Sequence, residues 1–227
     1  MLLIPIFISC LVNSQVTHQQ PHHSSMQTYL ALGDSYTIGE SVTPDQNFPH
    51  QLVALLKKEG QLFEAPRIIA KTGWTTDELD EAIQKTNVTS RYDWVSLLIG
   101  VNNQYRGRHV DDYALQFESL LKQAIHFAGD DPSHVIVVSI PDWGATPFAE
   151  GRDRMAIASE IDIYNGVNEK ISGRYHVHYI NITPGSRMAI KDSSLVTSDG
   201  LHPSGKEYAR WTALIKNTML PLLEQAK

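Results

Sequence analysis

The chain has 227 residues, 42% of them hydrophobic, with 19 Lys plus Arg against 25 Asp plus Glu and a formal net charge of −6. That length supports one sizeable core and is short for two independent ones. The acidic balance, with no dense basic run to neutralise a row of phosphates, argues against a nucleic-acid partner.

The chain opens on an apolar run over 2–12, too short to span a bilayer and matched to the hydrophobic region of a secretory signal. Val12 and Ser14 occupy the −3 and −1 positions of a small-residue cleavage site before Gln15, although no basic residue precedes the run. The Gln/His/Ser-rich residues that follow read as a solvated spacer. The expected organisation is a signal over 1–14, a spacer over 15–27 and one domain over 28–227, secreted or periplasmic and without a membrane span once mature. Cys10 is the only cysteine, so no intramolecular disulfide can form, and cleavage after Ser14 removes the one thiol. Lipidation at Cys10 is the minor alternative, because Phe7 suits a lipoprotein cleavage box poorly.

From residue 28 onward, short apolar runs alternate with amphipathic segments, the pattern of strands joined by crossing helices. Strands are expected at 28–32, 67–70, 94–99, 134–140 and 177–182. The runs VSLLIG and HVIVVSI are apolar on both faces, as in central parallel strands covered by helices on each side. Helices are expected at 48–58, 75–85, 112–128, 155–172 and 204–223, from apolar positions recurring every three or four residues. Ser204 and Glu207 suggest a capping box opening the last helix, with Pro203 stiffening its entry. The fold class is a three-layer α/β sandwich.

Candidate chemistry gathers at the strand exits, where open α/β sheets bind their ligands. Ser35, in LGDSYT, follows the first strand and is either a nucleophile or a turn serine, since Gly, Asp and Ser suit any strand exit. The glycine-flanked pentapeptide of the ordinary α/β-hydrolase elbow is absent, because position 37 is Thr. After the second strand, Gly73 is either an unobstructed N–H donor or a turn glycine. Past the third, Asn102 offers an amide at the same sheet edge. Trp143 and Phe148, after the fourth, either line an acyl pocket or pack the interior. Asp199 and His202, three apart in SDGLHPSG, could deliver from one loop an imidazole and the carboxylate that orients it. Taken singly, they are a turn residue and a solvated histidine. Neither His22–His23 nor His176 and His178, expected on one strand face, makes a metal site, and no metal or cofactor is expected. Asn87 and Asn181 begin glycosylation sequons that matter only in a source that glycosylates.

Gly33-Asp34-Ser35, Gly73, Gly100-x-Asn102 and Asp199-x-x-His202, in this order and on these elements, resemble the conserved blocks of the SGNH hydrolases, also called GDSL esterases and lipases. The resemblance covers about residues 28–225. It implies a flavodoxin-like α/β/α sandwich with a five-stranded parallel sheet. It also implies Ser35 as nucleophile, His202 as general base and then acid, Asp199 as its partner, and an oxyanion hole of Ser35 N–H, Gly73 N–H and the Asn102 amide. The third block departs from the family's Gly-x-Asn-Asp, with Asn103 in place of the acid: an Asn can keep hydrogen bonds but loses the charge, so the departure touches the support around the oxyanion loop and not the donor itself. The implied function is hydrolysis of carboxylic esters, with short acyl or lysophospholipid-type substrates, through an acyl-enzyme. The alternatives are a carbohydrate O-deacetylase using the same residues, so that the substrate is a small-molecule or glycan ester, and a non-catalytic binding module of the same fold.

Overall fold

The computed structural model describes residues 26–225. The expected signal, its cleavage site, Cys10 and most of the spacer lie outside the described residues. Gln27, assigned to the spacer on composition, is tied into the fold: its N–H donates to Leu62 O at 2.7 Å and its Oε1 accepts from Trp94 Nε1 at 3.1 Å.

Five strands, β1 (Tyr29–Gly33), β2 (Arg67–Ala70), β3 (Trp94–Leu98), β4 (Val135–Val138) and β5 (His178–Ile180), form one parallel sheet in the order β2-β1-β3-β4-β5. This is the flavodoxin-like order, which reverses direction between β1 and β3 and so opens a crevice at their carboxyl ends. Every residue of β1, β3 and β4 is buried, whereas β2 and β5 are partly exposed edges. The continuous apolar runs mark the central strands because both of their faces lie under helices.

The helices are α1 (Ser35–Ile38), α2 (Phe48–Lys58), α3 (Thr76–Thr86), α4 (Val101–Tyr105), α5 (Val110–Phe127), α6 (Arg154–Arg174), α7 (Thr183–Ser186) and α8 (Gly205–Gln225). On one face α2 packs against α8, and on the other α5 packs against α3 and α6. Leu30, Leu32, Leu52, Leu56, Phe117 and Trp211 are among the side chains that fill the layers with essentially no exposure. Each such burial is worth roughly 1.5–3 kcal/mol before conformational entropy is charged against it. No described helix is long and apolar enough to cross a membrane.

Two local expectations are corrected. Ser204 and Glu207 do not form a reciprocal capping box. Glu207 N reaches Ser204 Oγ at 3.4 Å, but Ser204 N donates to Leu195 O at 2.9 Å, and the Glu207 carboxylate turns inward to accept from Trp211 Nε1 at 2.9 Å and Arg210 at 2.8 Å. A buried indole N–H needs an acceptor, and that need outweighs the cap. His176 and His178 do not share a strand face either: His176 occupies the turn before β5 with φ +57°, and the strand begins at His178.

Candidate active site

Ser35 is the first residue of α1, immediately after β1, and is buried. The turn is possible because position 33 is glycine: a Cβ there would stand 2.1 Å from Thr37 Oγ1 and 2.4 Å from Leu98 O. Asp34 caps α1 by accepting from Tyr36 N at 3.0 Å, while its Oδ2 and the Thr37 hydroxyl have no partner among the described residues. Full burial pushes the Asp34 carboxyl up to about 7, against the lowering effect of the Tyr36 N–H.

His202 is buried on the loop before α8, and its Nδ1 lies 2.7 Å from Asp199 Oδ2. The same Asp199 oxygen accepts from Ser41 Oγ at 2.6 Å, and Oδ1 accepts from Thr197 Oγ1 at 2.8 Å, Leu201 N at 2.8 Å and His202 N at 2.9 Å. Partial burial of Asp199 opposes ionisation, but this set of donors outweighs it and holds the carboxyl well below the usual range. The helix that follows also grips the nucleophile turn, since Tyr208 OH donates to Tyr36 O at 3.0 Å.

The third wall joins α4 to the loop between β2 and α3. Gly73 sits at φ +84°, where a side chain is disfavoured, and its N–H has no partner among the described residues. Arg106 Nη2 donates to Gly73 O at 2.5 Å and Asn102 Nδ2 to Trp74 O at 2.9 Å. Asn103 is buried; its Oδ1 accepts from Thr76 N at 3.1 Å and its Nδ2 donates to Thr76 Oγ1 at 2.7 Å. An amide therefore braces the start of α3 through both of its ends. Asn103 thus keeps two hydrogen bonds without carrying a charge.

Residues from these three walls surround one cavity of about 170 Å³, lined by Ser35, Gly73, Asn102 and His202 together with Trp143, Phe148 and other side chains. A model of the GDSL-like lipase/acylhydrolase family matches residues 31–210. The chain belongs to this family. Membership makes it a carboxylic ester hydrolase of the GDSL/SGNH type. No curated protein sequence matches the chain. Among solved structures it is similar to TesA (17% identity, TM-score 0.66, covering 86% of this chain and 99% of that one). It is also similar to the psychrotrophic esterase EstA from Pseudoalteromonas sp. (17%, 0.62, 87% and 99%) and to Axe2, an acetylxylan esterase from Geobacillus stearothermophilus (18%, 0.63, 88% and 95%). At these identities the likeness is one of fold.

In this GDSL-type hydrolase Trp143 is buried and also lines the cavity. Its Nε1 donates to Gln104 Oε1 at 2.7 Å, and Gln104 in turn donates to Glu160 at 2.6 Å. The loop that carries it is set by Asn165, which accepts from Ile140 N at 2.8 Å and donates to Ile140 O at 2.9 Å. Phe148 is exposed at the rim. Tyr105, which the sequence reading missed, completes an aromatic wall, its ring 5.3 Å from Trp143 and 6.3 Å from Phe148. Nothing local announces Tyr105, although its place one turn after Asn102 on a short helix at the sheet edge is a usable signal. Among the described residues no His, Cys, Asp or Glu cluster is arranged to hold a metal ion.

Proposed function

We propose that Ser35, His202 and Asp199 hydrolyse a carboxylic ester through an acyl-enzyme, with Ser35 N–H, Gly73 N–H and the Asn102 amide receiving the oxyanion. The observation that carries this reading is the 2.7 Å pairing of His202 Nδ1 with the Asp199 carboxylate, with His202 and Ser35 lining one cavity. That pairing leaves Nε2 to take the Ser35 proton as Oγ attacks the carbonyl carbon. The tetrahedral oxyanion is held by the Ser35 and Gly73 N–H groups and by the Asn102 amide hydrogen that Trp74 O does not engage. Collapse breaks the ester C–O bond, and the alcohol leaves with the proton from His202. Water, deprotonated by the same imidazole, then attacks the acyl-enzyme, releasing the acid and restoring the serine.

A cavity of about 170 Å³ is smaller than the pockets that enclose drug-sized ligands, which favours a short acyl chain. The half-exposed rings of Tyr105 and Phe148 at the rim favour a second reading of the leaving group, in which the ester is an acetyl group on a sugar whose ring lies against them. The solved acetylxylan esterase of the same fold supports it as an analogy only.

The test is hydrolysis of p-nitrophenyl esters from acetate to palmitate by the domain and by Ser35→Ala, run beside an acetylated xylo-oligosaccharide. Turnover of the short esters that drops by roughly 10⁴-fold or more in Ser35→Ala is expected. Equal turnover in the variant would remove Ser35 from the chemistry. A preference for the acetylated sugar over p-nitrophenyl acetate would select the second reading.

A further inference from the structure

Ser41 stands out because it is a non-glycine residue at φ +65°, a region that L-residues disfavour, directly beside the site. Neither its chemistry nor its place in a motif requires that conformation. What the conformation achieves is a contact across 158 residues of sequence: Ser41 Oγ lies 2.6 Å from Asp199 Oδ2. This is the oxygen that pairs with His202 Nδ1. The other donors to Asp199, from Thr197, Leu201 and His202, all belong to its own loop and cannot locate that loop relative to the serine. Ser41 can, because the two residues before it are fastened to the nucleophile's own carbonyl: Gly39 N and Glu40 N donate to Ser35 O at 3.1 and 3.0 Å. The neighbouring Glu40 carboxylate accepts from Thr72 Oγ1, on the loop that carries Gly73. The segment leaving α1 thus touches both of the other walls.

We propose that Ser41 is a positioning residue: its hydroxyl, presented by a strained backbone, anchors Asp199 and with it the His202 imidazole at a fixed place relative to Ser35. The proposal rests on Ser35, His202 and Asp199 acting as described above. A strained conformation that persists beside a reacting group is what such a role requires, since the surrounding contacts must hold it there.

The experiment measures kcat and KM on p-nitrophenyl acetate, together with Tm, for Ser41→Ala, Ser41→Gly and Ser41→Thr. Both variants lacking the hydroxyl should lose roughly tenfold in kcat, as expected for a hydrogen bond to a charged group, with KM changed less than about twofold. Their Tm values should differ, glycine above alanine, because glycine adopts positive φ without strain. Ser41→Thr keeps the hydroxyl and should hold kcat within about threefold of wild type while lowering Tm, since a β-branched residue is worse in this region. Placed in Asp199→Ala, Ser41→Ala should cost less than about twofold more, because its partner is already gone. Full kcat in Ser41→Ala and Ser41→Gly would overturn the proposal, as would a kcat that tracks Tm across the three variants. Undiminished loss in the Asp199→Ala background would also overturn it. Ser35→Ala is measured alongside: turnover in it would bring down the catalytic reading itself, whereas an inactive Ser35→Ala beside fully active Ser41 variants would remove Ser41 alone.

Discussion

Asp34 adjoins Ser35 and Asp199 adjoins His202, yet the fold treats these two carboxylates in opposite ways. Asp199, with its side chain 31% exposed, collects donors from Ser41, Thr197, Leu201 and His202 and is held ionised. Asp34 has no exposure, accepts from Tyr36 N, and keeps Oδ2 without a partner among the described residues. Burial disfavours the charged form at both positions; the number of donors decides the outcome. On the proposed chemistry the divergent environments suit different roles: Asp199 would be the charge that stabilises an imidazolium, while Asp34 caps α1 by accepting from Tyr36 N.

The contrast is tested most severely by Asp199→Asn, which keeps the shape and removes the charge. A fall in kcat of roughly 10³–10⁴-fold with little change in KM is expected on p-nitrophenyl acetate; an unaltered kcat would erase the distinction between the two acids.

Stability against pH probes the other half. The Asp34 carboxyl is raised from 3.8 to about 7, so the native state keeps a proton that the unfolded chain releases between those values. Its contribution therefore makes stability fall as pH rises from about 4 to about 7, by up to about 4 kcal/mol at 1.36 kcal/mol per unit, and then level off. Asp34→Asn should lose that slope, which urea midpoints at pH 5 and pH 8 would detect; parallel slopes in the two proteins would count against the assignment. Asp199 has the opposite sign. Held low in the native state, it contributes stability at neutral pH that is lost as pH falls below about 4.

A smaller effect sharpens the comparison from the donor side. Asn102→Ala should lower kcat by roughly 10²–10³-fold if one amide hydrogen, the other being engaged by Trp74 O, meets the oxyanion. Unchanged steady-state kinetics would take Asn102 out of the site.

The sheet was legible because β3 and β4 are buried on both faces, so their apolar runs have no competing explanation. α2 was legible to its ends, with Asn47 as an N-cap accepting from His50 N at 3.0 Å. The short helices α1, α4 and α7 were not, because four or five residues display no period. At the candidate site, Ser35, Gly73 and Asn102 could be picked out at strand exits and Asp199 with His202 in one loop before the last helix, and the structure brings Ser35, Gly73, Asn102 and His202 to one cavity. Ser41 and Tyr105 were not legible, since each takes its place from residues distant in the chain. The Ser204–Glu207 pattern misled for the related reason that Trp211 claims the Glu207 carboxylate, a tertiary demand with no local trace.

Asp199 and His202 lie between β5 and α8, downstream of every strand in the sheet. A chain made from its N-terminus can therefore lay down all five strands, and gather Ser35, Gly73 and Asn102 at their ends, while no imidazole stands beside them. In the folded chain the loop with Asp199 and His202 is held by α8, which packs against α2 and reaches the Tyr36 carbonyl through Tyr208. On the proposed chemistry, turnover therefore reports more than an intact sheet: a protein with its five strands paired but its last helix unseated would lack the base.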